Sequence, residues 1–87
     1  MHESGIIKDL VHRVEAAARA AGVDKVSGVE VWLGALSQMS AEHFREHFQE
    51  EVRGTPVETA ELTLEVSDDL EDPQAQSVVL RSIEMTV

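Results

Sequence analysis

No cysteine occurs among the 87 residues, so they can build neither a disulfide nor a thiolate metal site. That fits a reducing compartment, and a cytoplasmic location is the expectation. Tyrosine is also absent, and Trp32, Phe44 and Phe48 are the whole aromatic complement. Three rings are too few for a platform on which bases could stack. Basic residues are scarce: seven Lys and Arg stand against seventeen Asp and Glu, for a formal charge of −10. Such a chain repels phosphate backbones, which argues against nucleic acid and in favour of cations and basic protein surfaces. No apolar run approaches the ~20 residues of a membrane span, and the start lacks a basic segment followed by an apolar one. Neither a membrane partner nor an export signal is expected.

Hydrophobic residues make up 43% of the chain, an ordinary globular share, so it should fold. Its length allows one domain, residues 1–87, with no room for a second core. A core this small must draw its stability from packing, with self-association as a second open source.

The spacing of apolar residues predicts a helix over 4–21, with Ile6, Ile7, Leu10, Val11, Val14, Ala17, Ala18 and Ala21 on one face. Ser4 is its expected N-cap and Gly22 its stop, leaving Met1, His2 and Glu3 as a short arm outside it. "KVSGVEVWL" (25–33) alternates like a strand, Val29, Val31 and Leu33 on one face and Val26, Gly28, Glu30 and Trp32 on the other. A second helix over 41–52 is expected behind a Ser40 cap, with Phe44, Phe48 and Val52 inward. Gly54 and Pro56 end it. "AELTLEV" (60–66) reads as a strand with Leu62, Leu64 and Val66 inward, and 78–87 as the last strand with Ile83 and Met85 inward. Arg81 shares the face of Ile83 by simple alternation and leaves the first half of that strand ambiguous.

The expected fold is α+β, in the order α-β-α-β-β: a three-stranded mixed sheet with two helices on one face. Strand, helix, strand implies a parallel crossover, and the last two strands are expected to pair antiparallel across a hairpin loop at 67–77. The expected core joins Ile7, Leu10, Val14, Val29, Val31, Phe44, Phe48, Leu62, Leu64 and Ile83.

Four histidines and the carboxylates are the available metal ligands. His2 is large for removal of the initiator methionine, so the chain is expected to keep Met1-His2-Glu3 at its start. An α-amine, two backbone amides, an imidazole and a carboxylate then fall within three residues. Such a set can wrap a square-planar ion, the geometry of Ni(II) or Cu(II). A frayed, solvated terminus is the competing reading. His43 and His47 stand at i, i+4 on the second helix, a chelating spacing. Phe44 and Phe48 beside them face the core, so these histidines turn to solvent. Without a third ligand in register they read as a surface pair, and His12 reads likewise. Asp68, Asp69, Glu71 and Asp72 crowd "SDDLEDPQ", whose spacing misses that of an EF-hand and suits a solvated loop. No nucleophile elbow, phosphate loop or other catalytic constellation is present, so an enzyme is not expected. Trp32 stands on the open face of the sheet, either covered by a neighbouring side chain or marking a protein contact.

Four landmarks stand in order: "MHE", "GALSQMS" after the first strand, "RGTP" after the second helix, and "LRSIEM" near the end. Together they resemble the hydrogenase nickel-incorporation protein family HypA, nearly collinearly over 1–66 and 78–85. The resemblance implies a metallochaperone that takes Ni(II) as transient cargo through its N-terminal arm for maturation of a nickel enzyme, usually NiFe hydrogenase. It implies His2 as the essential ligand, Glu3 as a ligand or a group supporting one, and the Met1 amine and nearby amides as the rest. A maturation GTPase or hydrogenase precursor is the implied partner. The family carries a zinc domain of paired Cys-x-x-Cys motifs between its last two strands, where this chain has "SDDLEDPQAQS" and no cysteine. No zinc is therefore expected. Some relatives also carry an acid where this chain has Ser40. The alternative is a protein-interaction module of the same fold that no longer transfers metal. A homodimer through the open face near Trp32 is a further expectation.

Overall fold

The computed structural model describes residues 3–85, with Glu3 and Ser4 described in their backbone only. Helix α1 spans Glu3–Ala20, and Ile7, Leu10, Val11, Val14 and Ala18 form its buried stripe. It begins at Glu3, so Glu3 belongs to the first turn instead of standing outside it, and Ser4 is already helical rather than the expected cap. An acidic residue in a first turn complements the positive end of the helix dipole. The helix stops as Gly22 requires. Gly22 turns left-handed at φ +71°, its N–H donates to the Arg19 carbonyl, and the Val23 N–H donates to that of Ala18. Those are the paired bonds of a glycine-terminated helix. The stripe ends with it: Ala21 is exposed.

Strand β1 (Val26–Leu33) lies between β2 (Glu61–Val66) and β3 (Val78–Met85). It pairs parallel with β2, Val29 opposite Leu62 and Val31 opposite Leu64. It pairs antiparallel with β3, Val29 opposite Ile83 and Val31 opposite Leu80. The expected mixed sheet is there, but β2 and β3 do not pair. They occupy opposite edges of β1, so 67–77 carries the chain from one edge to the other and is not a hairpin loop. β1 takes the centre because it is apolar on both faces, as central strands are.

Two register shifts correct the sequence reading of the faces. One lies between Val26 and Gly28, where two β1 residues advance against one of β3, and a bulge of this kind reverses the alternation. Val26, expected on the open face, is thereby fully buried in the helix-covered core. The second falls between Glu30 and Val31, where β3 advances two residues, Ser82 to Leu80, against one of β1. Arg81 is the extra residue. It leaves the face of Ile83, and Leu80 and Val78 pack against the core on the other side of it.

Helix α2 (Ala41–Glu51) is capped by Ser40, whose hydroxyl accepts the His43 N–H at 3.0 Å. Phe44 and Phe48 enter the core with centroids 6.2 Å apart. Together with α1, β1, Leu62, Met39, Val52 and Val57 they form one cluster, and Leu64 and Ile83 pack against it partly buried. Val66, expected inward, is 56% exposed because it lies at the very end of β2. Both helices lie on one face. The links 21–25, 34–40 and 52–60 are short and each reverses the chain, so α1 and α2 both run against β1 and parallel to each other. Their N-termini therefore meet at the end of the sheet where β1 finishes.

Candidate metal centre

That shared end collects most of the chemistry. The start of α1, the 34–40 loop, the first turn of α2 and the 67–77 crossover all lie there. The crossover is tied to the end of β1: Gly34 N–H donates to the Ser77 carbonyl at 2.9 Å and Leu36 N–H to that of Ala75 at 2.6 Å. Gly34 must be glycine, since a Cβ there would collide with the Ala75 carbonyl.

Met1 and His2, the first two of the expected ligands, lie outside the described residues, as does the side chain of the third, Glu3. The geometry on which they hang is described. Ile7 is fully buried and Ile6 packs on the core, so the first turn of α1 is pinned. The first four N–H groups of a helix have no acceptor within it. Amides at this start can therefore give up their protons to a metal without breaking a helical hydrogen bond.

Among the described residues no group of three or more His, Asp or Glu is placed to hold an ion. His12 is exposed on α1. His43 is exposed and His47 half-buried, with ring centroids 6.1 Å apart in an edge-on arrangement. Ser40 spends its hydroxyl on the helix cap. In the crossover, Asp69 Oδ1 accepts the Glu71 N–H at 3.0 Å and Asp72 Oδ1 the Gln74 N–H at 2.8 Å. These carboxylates shape turns of the kind Asp favours.

The open face of the sheet is acidic. Glu30, Glu61 and Glu84 line a shallow groove of about 150 Å³ over Gly28, and Ser82 Oγ donates to Glu30 Oε1 at 3.1 Å. Trp32 is covered, only 6% exposed, with the Arg81 guanidinium 5.6 Å from its ring centroid. The bulge at Arg81 makes this contact, and simple alternation could not have found it. A second cleft, about 360 Å³, lies between α2 and β2, where Arg45 Nη1 donates to the Leu62 carbonyl at 3.1 Å.

Two helices on one face of a β2-β1-β3 sheet define a small two-layer α+β domain. The family described as "Hydrogenase/urease nickel incorporation, metallochaperone, hypA" matches residues 1–70. The chain belongs to the HypA family. It is 40% identical over 65 residues to the hydrogenase maturation factor HypA of Chloroflexus aurantiacus, a match covering 75% of this chain and 57% of that protein. The HypA of Chlorobaculum parvum is 37% identical over 65 residues, 75% of this chain and 58% of its own length. The chain thus spans little more than half the length of the curated relatives it matches. The solution structure of the Ni metallochaperone HypA from Helicobacter pylori superposes with a TM-score of 0.82, covering 98% of this chain and 97% of that one at 20% identity. That likeness is one of fold.

Proposed function

We propose that this chain is a nickel metallochaperone domain that binds Ni(II) through Met1, His2 and Glu3 and delivers it during maturation of a nickel enzyme, a NiFe hydrogenase. The observation that carries this reading is that the family match begins at residue 1, so the Met-His-Glu arm lies inside the matched span. The start of α1 at Glu3 supports it, because it sets the arm directly before amides that no helical acceptor engages. The Met1 amine, the amides and the His2 imidazole supply a planar nitrogen set suited to Ni(II). Glu3 is either a further ligand or the group that neutralises the ion. The role is custody of an ion, and no substrate bond is made or broken. With no cysteine the 87 residues offer no thiolate zinc site, so zinc has no part in this reading. The partner is a maturation GTPase or hydrogenase precursor with a basic docking patch, met in the cytoplasm.

A metal-free interaction module is the rival. It needs an apolar anchor on the open face, and that face presents an indole covered by Arg81 and a groove lined by Glu30, Glu61 and Glu84. A homodimer there would set those carboxylates against their own copies.

Ni(II) titration by calorimetry, on untagged protein with its native Met1, tests the proposal. His2→Ala should abolish the tight ion and leave the fold intact. Binding should release protons and weaken as pH falls through the ordinary imidazole range, about 6.5, because the ligating nitrogens must be unprotonated. Unchanged tight binding by the His2→Ala chain would sink the arm reading.

A further inference from the structure

His43 and His47 sit on the first two turns of α2, one helical turn apart. Their flank is fixed by what the other flank does. Arg45 binds the Leu62 carbonyl and Gln49 lines the cleft against β2, so that side of α2 faces β2. Since α1 packs on α2 and on β3, at the opposite edge of the sheet, the histidine flank is the one turned toward α1 and solvent. The half-burial of His47 and exposure of His43 agree with that placement. Because the two helices run parallel, this flank begins at the same end of the molecule as Glu3.

Imidazoles at i, i+4 project from Cβ atoms about 5–6 Å apart on one helix face. Their rings lie edge to face on that flank, 6.1 Å between centroids. The i, i+4 spacing is one at which a nitrogen of each ring can share a single ion at the usual ~2.0–2.1 Å. Glu42 and Glu46 are exposed on the same two turns, and their negative field concentrates cations there. We propose that the His43–His47 pair is a second divalent-metal seat, which chelates Ni(II) through two neutral imidazoles with water in the remaining positions, at the arm end of the molecule. Its chemistry differs from the arm's. Imidazole and water form an open, exchangeable shell, whereas deprotonated amides hold a planar ion tightly. The pair is then the seat that takes a hydrated ion first or receives it last. That role rests on the arm reading above; the chelation itself does not.

The test uses the untagged full chain in three forms: unaltered, His2→Ala, and His43→Gln with His47→Gln. His43 is exposed and His47 half-buried, and glutamine keeps a polar helix former at both, with retention of the fold checked by the amide spectrum of each variant. Calorimetry counts bound Ni(II), and broadening of α2 amide resonances by paramagnetic nickel locates the pair. The unaltered chain should take two ions and the double variant one. The His2→Ala chain should take one, with broadening centred on residues 43–47. His43→Gln alone should weaken that ion about tenfold or more, since chelation is lost. Sharp α2 resonances in the His2→Ala chain at saturating nickel would overturn the proposal, as would unchanged broadening in the double variant. If His2→Ala keeps both ions, the pair stands and the arm reading fails.

Discussion

Arg81 shows how much one residue can redirect. As the extra residue of a bulge it leaves the core side, where an unpaired guanidinium would be costly, and its side chain lies over Trp32. The indole needs that cover, because nothing of either helix reaches the open face. A cation over an aromatic ring contributes about 0.5–1 kcal/mol at exposed sites, and the arginine stem adds packing of its own. Arg81→Ala should therefore lower stability by roughly that amount and shift the emission of Trp32 to the red. As the chain has a single tryptophan, the fluorescence reports this site alone. Unchanged emission would mean that other groups cover the ring.

At the scale of elements, the helices were legible and the sheet only partly so. Periodicity and capping are local properties, and α2 carries both in full. Its cap is a single hydroxyl on the His43 N–H, so Ser40→Ala should cost about 1 kcal/mol in urea unfolding. A cost near zero would show that water serves the helix end equally well. Strand pairing is not local. Nothing in "VVLRSIEMTV" says which edge it joins, and a hairpin with its sequence neighbour is the short-range guess. The missed signal was in β1, where Val29, Val31 and Leu33 on one face and Trp32 on the other leave neither side suited to water. Such a strand belongs in the middle. Alternation puts Val26 on the wrong face and leaves the strand around Arg81 ambiguous for a related reason: each adjoins a register shift, and a bulge leaves no mark in alternation. Of the candidate site, the Met-His-Glu motif is legible in the sequence, whereas the shared end of the first turns of α1 and α2 emerges only from the parallel course of the helices.

The whole molecule acts through its charge. A net −10 on 87 residues creates a field that draws basic surfaces and metal ions toward it. Association with a basic partner should slow as salt rises, because the field is screened within about 8 Å near physiological ionic strength. Stopped-flow association rates across a salt series measure this directly. Rates indifferent to salt would assign the contact to apolar groups, and Leu36 and Leu70, both exposed on loops at the arm end, would be the first to replace.

The placement of β3 on the far edge of β1 also has a consequence for how the chain comes to be folded. Val26 pairs with Met85, 59 positions later (85 − 26), whereas the helices and β2 complete themselves from nearer sequence. As the chain leaves the ribosome, β1 can gain its cover of helices and its parallel neighbour while its other edge still lacks a partner. A central strand of valine, tryptophan and leucine with one open edge invites pairing with foreign chains. Closing so wide a loop is also the slow step expected of non-local sheets. Newborn chains thus pass through a sticky interval that closes only when the last strand arrives. The domain's yield in the cell should depend more on how fast residues 78–85 are made than on the strength of the finished core.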